Sequence, residues 1–141
     1  MMRRTHAAAG LAIGFALAGQ THQPLLNACA YGLLTQVCAL VPDLDIKLHL
    51  KHRGVTHSLL ALLLISLGAW YTMPLLLPYV ALGYGSHLFL DFLTVWGIPI
   101  LWPVQRRFRL MRLSTGGRID SLLAVGALCA ALYCVVGMIR L

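Results

Sequence analysis

Residues 74–96 read PLLLPYVALGYGSHLFLDFLTVW. At ~1.5 Å per residue, a helix of this length crosses a hydrocarbon layer of ~30 Å. Its composition is that of a membrane helix, except for His87 and Asp91. These two stand four residues apart, on one helical face and within reach of one ion. An ionisable pair inside an apolar span is costly to bury, so it points to function. The bland alternative is a hydrogen-bonded His–Asp pair that joins two helices.

The rest of the chain repeats the pattern. It has 141 residues, 60% hydrophobic and only 11% charged, with a mean hydropathy of +0.81. Soluble domains carry about 25% charged residues. Five apolar runs are legible, near 5–19, 24–41, 57–72, 74–96 and 119–139. The expected fold is therefore all-α: one polytopic membrane domain over 1–141, with about five transmembrane or partly re-entrant helices. Pro24 suits a first helical turn, Pro42 stops the second run, and Thr56 is a candidate N-cap. The first and third runs are short for full spans.

The first run needs a separate decision. Arg3, Arg4 and the following alanines resemble a signal peptide, with an A-x-A-like end at Ala16–Ala18. Yet His6, Gly10 and Gly14 share one helical face. That puts a polar group and two small residues where another helix packs, so the expectation is a retained helix.

Charge sets the orientation. With the N-terminus inside, Arg3, Arg4, Lys47, Lys51, Arg53, Arg106, Arg107, Arg109, Arg112 and Arg118 are all cytoplasmic, and Arg140 alone is outside. This satisfies the positive-inside rule. The net charge of +7 is then explained by lipid headgroups and topology, not by nucleic acid. The cysteines Cys29, Cys38, Cys129 and Cys134 lie in apolar runs and form no C-x-x-C pair. They read as small buried hydrophobes.

The same topology gathers the polar residues on one membrane face. All four acidic residues are aspartates: Asp43, Asp45, Asp91 and Asp120. Asp43 and Asp45 follow the second run in PDLD, and His52 and His57 lie in HRGVTHS. His6 starts the first run, and Asp120 opens the last. The candidate metal ligands are His6, Asp43, Asp45, His52, His57, His87, Asp91 and Asp120. This is too many for one tetrahedral site, so two neighbouring ions are expected. Mixed imidazole and carboxylate donors suit Zn first, then Mn or Fe. His22 and His49 lack such company and are not expected to bind. The paired aspartates can both ligate and bridge, or one can ligate while the other orients a histidine.

The motifs PDLD, HRGVTHSLLA, LGYGSHLFLDFLT and GIPILWP, followed by RRFRL and STGGRID, resemble the bacterial inner-membrane metal-dependent hydrolases of the YdjM type. The resemblance covers roughly residues 1–120. It implies a membrane-bound, metal-dependent, hydrolytic protein of the bacterial inner membrane. Family members often carry glutamate where this chain has Asp120, and the link between PDLD and HRGVTHS is short here. The H-x-x-x-D pattern also has a faint similarity to zinc-dependent phospholipases C.

The expectation is a hydrolase cleaving a phosphoester of a lipid or lipid-linked substrate. Asp43 or Asp45 would serve the attacking water, and Arg106 and Arg107 would neutralise the phosphate. Membrane lipids are the expected partners, and the GLAIG face at 10–14 leaves room for a homo-oligomer. The alternatives are a divalent-metal transporter and a non-catalytic metal-binding membrane protein. Transport needs polar groups near the midplane, whereas these crowd one end of the helices.

Overall fold

The computed structural model describes residues 1–47 and 52–140. His49 and Lys51 lie outside the described residues. Among those described, five long helices form: α1 (Arg3–Gln20), α2 (Leu25–Cys38), α4 (Leu59–Thr72), α5 (Leu77–Phe92) and α6 (Arg118–Ile139). A single turn, α3 (Leu44–Lys47), follows a 3₁₀ turn at Val41–Asp43. No strands occur among the described residues; two isolated bridges, Thr94 with Leu113 and Ile98 with Phe108, fold the loop between α5 and α6.

Three segments are long and apolar enough to cross a membrane: Leu25–Lys47, Pro74–Phe92 and Arg118–Ile139. The chain is thus an all-α membrane protein. α4 is a shorter apolar helix, with no buried residue and leucines on its exposed face. α6 exposes Leu122, Val125, Leu128, Leu132 and Val136. Apolar side chains on the outer faces of helices belong against lipid.

α1 is the centre of the bundle, packed against α2, α5 and α6. Burial by protein explains why it carries polar and small residues where lipid-facing helices carry leucine. Thr5, His6, Gly10 and Gly14 are all buried on it. A Cβ on Gly14 would meet Gly32 Cα at 2.6 Å, and one on Gly10 would meet Ala39 Cβ at 2.7 Å. Gly10 and Gly14 therefore bring α1 close against α2, as their spacing predicts, while His6 on the same face stacks on His87 of α5. Backbone has no rotamer to yield, so Gly14→Leu is expected to force α1 and α2 apart. Overpacking of this kind costs about 1–3 kcal/mol or more, measurable as a lower thermal midpoint in detergent.

Two local expectations change. The residue that caps α4 is Ser58, whose hydroxyl accepts from Ala61 N at 3.2 Å. Thr56 sits inside a 3₁₀ turn at Val55–His57, and its hydroxyl is drawn to Asp45 instead. Pro24 precedes α2 as its N-cap instead of occupying its first turn. Pro42 does end the helical run, by opening the 3₁₀ turn that carries Asp43.

Candidate metal centre

His87 and Asp91 arise from the last turns of α5, and His6 from the first turn of α1. Asp43 and His57 stand in the two 3₁₀ turns, with His52 just before the second. Two groups of three result: His6, His87 and Asp91, all buried; and Asp43, His52 and His57, of which His52 is exposed. The groups adjoin. His57 Nε2 lies 3.2 Å from His87 Nε2, Asp43 Oδ1 lies 3.6 Å from His87 Nε2, and Asp91 Oδ2 lies 3.7 Å from His57 Nε2.

Hydrogen bonds fix which ring nitrogens face inward. The Ala39 carbonyl can only accept, so His87 Nδ1 donates to it at 2.7 Å. Its Nε2 then bears a lone pair. Thr56 donates to Asp45 Oδ2 at 3.1 Å, which leaves its oxygen to accept from His57 Nδ1 at 3.0 Å. Asp45 Oδ2 also lies 3.5 Å from that nitrogen. Burial pushes the His57 imidazole down to about 4, against the pull of the Asp91 and Asp45 carboxylates. At neutral pH the ring is uncharged, the form that ligates metal.

Two lone-pair nitrogens thus face each other, flanked by two carboxylates. Two acceptors at 3.2 Å repel unless a cation or proton lies between them. His6 adds a second sign. Its ring stacks on His87 with centroids 3.8 Å apart, its Nε2 is 3.3 Å from Asp91 Oδ1, and its buried Nδ1 has no partner. An unsatisfied buried group costs about 1–3 kcal/mol. Facing lone pairs and an unpartnered ring nitrogen beside carboxylates suit a cation, and the donor chemistry fits a divalent one.

Asp91 also pairs with Arg53, whose Nη2 is 3.0 Å from Oδ2, and with the Met1 amino nitrogen. Arg53 is buried, with a backbone φ of 57°. Its guanidinium donates to Thr94 Oγ1 at 3.3 Å and to the Gly97 carbonyl at 3.4 Å. Its backbone N–H donates to Asp45 at 3.1 Å. Arg53 therefore links Asp91 of the first donor group to Asp45, the carboxylate behind His52 and His57 of the second. Its position inside HRG, beside His52, was the available signal, but the charge alone reads as a topology marker.

Of the eight expected ligands, six fall in the two groups and two do not. Asp45 is buried, and its oxygens serve His52 Nδ1 at 3.0 Å, Arg53 N and Thr56 Oγ1. It stands behind the histidines and falls in neither group. Asp120 is likewise engaged. Its carboxylate accepts from Thr5 Oγ1 at 2.5 Å, Gly116 N at 2.7 Å and Met2 N at 3.1 Å. It anchors the start of α1 to the start of α6. Asp43 is the contrast, for no hydrogen-bond donor among the described residues reaches its carboxylate.

The arginines divide too. Arg106 lies over the Phe108 ring, 5.8 Å from its centroid. Arg107 lines two cavities beside Arg53.

Comparison with known proteins gives a consistent result. The family model described as YdjM inner membrane protein matches residues 1–141. Over 66 residues the chain is 42% identical to Inner membrane protein YdjM of Escherichia coli (strain K12), and equally to that of Shigella flexneri. The aligned part is 42% of this chain and 34% of each relative, so the chain matches about a third of their length. No solved structure matches.

Proposed function

The chain belongs to the YdjM inner membrane protein family, and on that premise we propose that it is a membrane-bound, metal-dependent hydrolase of phosphoesters. The observation that carries the reading is the inward-facing pair of imidazole lone pairs between Asp43 and Asp91. One divalent cation would be held by His6, His87 and Asp91, and a second by Asp43, His52 and His57. Three protein donors per ion leave open positions, which distinguishes reactive sites from closed structural ones. Zinc suits the donors best, with manganese or iron next. Bound there, such a pair lowers the pKa of a water and takes up charge on attacking and leaving oxygens.

The chain's own groups supply the rest. Asp43 keeps free acceptor positions at the junction of the two groups, so it is the carboxylate suited to hold the water and receive its proton. Asp45 fixes His52 and His57 with their Nδ1 protons turned away. His52, exposed, stands at the open side. The multi-pass topology with the N-terminus and donors on the cytoplasmic face follows from the distribution of Lys and Arg.

The test is metal analysis of the purified protein, with phosphate release from phosphatidic acid and from a soluble aryl phosphate. About two equivalents of metal, and turnover abolished by a chelator and restored by zinc or manganese, are expected. Metal-loaded protein that releases phosphate from neither substrate would refute the hydrolase. Chelator-insensitive turnover would refute the centre.

A further inference from the structure

We propose that Arg53 and Arg107 form an anion subsite beside the donor groups, which takes the phosphate of the substrate. The idea rests on the hydrolase reading above and narrows it. A cavity of about 400 Å³ is lined by Arg53 and Arg107 together with His52, Trp96, Met1 and Thr115. A smaller one, of about 70 Å³, is lined by the same two arginines with Gly54, Pro99, Trp102 and Gln105. The two arginines are the residues common to both. His52 belongs to the second donor group, so an anion in the larger cavity lies next to that group.

The two cations differ in what they offer. Arg53 is committed in part: Asp91, Thr94 and Gly97 take three of its N–H bonds. Those contacts hold its planar fork still, and its other N–H groups remain for a ligand. Arg107 is exposed, and its side chain has no hydrogen bond or ion pair among the described residues. It brings a positive charge that no carboxylate among the described residues offsets. A rigid, partly satisfied guanidinium opposite an unpaired one suits the tetrahedral, multiply charged phosphate group, which guanidinium binds bidentately. The surroundings favour an apolar remainder on the same ligand. Trp96 borders the larger cavity, Trp102 the smaller, and both are exposed. Leu101 and Val104 are exposed in the same loop. Tryptophans at this position are typical of the headgroup level of a bilayer.

The loop carrying Arg107 is held in place by its own backbone. Ile98 and Phe108 exchange hydrogen bonds at 3.0 and 2.9 Å, and Leu59 N donates to the Ile100 carbonyl at 3.0 Å. Gly97, at φ 60°, makes the turn, where a Cβ would strike the Phe108 carbonyl oxygen at 2.5 Å. Arg107 is thus mounted on a braced turn, one residue from the bridge at Phe108.

The experiment is calorimetric titration of the metal-loaded protein, in a nonionic detergent, with inorganic phosphate and with n-hexyl phosphate. Both are expected to bind. Arg107→Ala is expected to weaken both by about tenfold, the scale of one charge-assisted contact, with metal content intact and a larger loss than for Arg106→Ala. Arg107→Lys should recover part of it. Tighter binding of hexyl phosphate assigns a lipid phosphate, and equal binding assigns a water-soluble one; either supports the subsite. Failure of both probes to bind, or equal affinities in wild type and Arg107→Ala, overturns it. If phosphate release is absent while Arg107-dependent binding persists, the hydrolase reading fails and the subsite stands. If turnover persists but ignores Arg107, the subsite alone fails.

Discussion

His87→Ala is expected to empty the first metal position and to reduce phosphate release by at least about a hundredfold, beyond the upper end of what outer-sphere partners contribute. His87 is the residue on which most of the centre leans. Its Nδ1 proton is held by the Ala39 carbonyl, its ring stacks on His6, and its Nε2 faces His57 and Asp43. Alanine removes a ligand and also strands the Ala39 carbonyl in a buried setting, at about 1–3 kcal/mol. Loss of fold and loss of metal must therefore be separated. His87→Gln does this, because its amide can still reach for the carbonyl while offering a poorer metal donor. Metal content by elemental analysis should fall in both variants, with a smaller drop in thermal midpoint for glutamine. Full metal occupancy in both would remove His87 from the centre.

Asp45→Asn is the second large effect, and it comes from a residue outside either donor group. Asp45 accepts from His52 Nδ1, Arg53 N and Thr56 Oγ1 and faces His57 Nδ1. An amide retains one acceptor oxygen and turns an NH₂ toward a partner that also donates. At least one imidazole then loses its fixed tautomer, and its inward lone pair is no longer assured. Metal affinity is expected to fall about 10–100-fold, as for other carboxylates behind a ligating histidine. Loading with cobalt in place of zinc gives a readout that a merely structural role leaves unmoved. The visible spectrum should change shape in Asp45→Asn, whereas a variant that is only less stable keeps the wild-type spectrum. An unchanged spectrum and affinity would return Asp45 to the status of a loop staple.

Much of this was legible because the chain spends charge so sparingly. The spacing of His87 and Asp91 states their shared face directly, and His6, Gly10 and Gly14 announce a helix contact that the backbone approach at Gly32 and Ala39 makes literal. Three things were hidden. Asp43 and Asp45 look equivalent in PDLD, but the turn from 3₁₀ to α3 gives one the junction of the two donor groups and the other the histidine backs. Arg106 and Arg107 are adjacent and identical in type. The bridge between Ile98 and Phe108 decides which borders the cavities, and that bridge joins residues with no periodic signal. Arg53 is the clearest omission. Its ion pair with Asp91 is long-range, and its left-handed backbone is uncommon outside glycine, so neither feature is written in local pattern. Asp120 shows the converse, for its carboxylate lies outside both donor groups, held by Thr5, Gly116 and Met2, and no local pattern announces those partners.

That claim on Asp120 has a consequence in time. The carboxylate at the start of α6 grips the backbone of Met2 and the hydroxyl of Thr5, beside His6. α1 is therefore seated by α6. A nascent protein emerging from the ribosome carries every candidate donor of the two groups by residue 91, yet α1 lacks this latch until Asp120 has been made and inserted. The seating of α1 beside the candidate donors therefore waits on the start of α6.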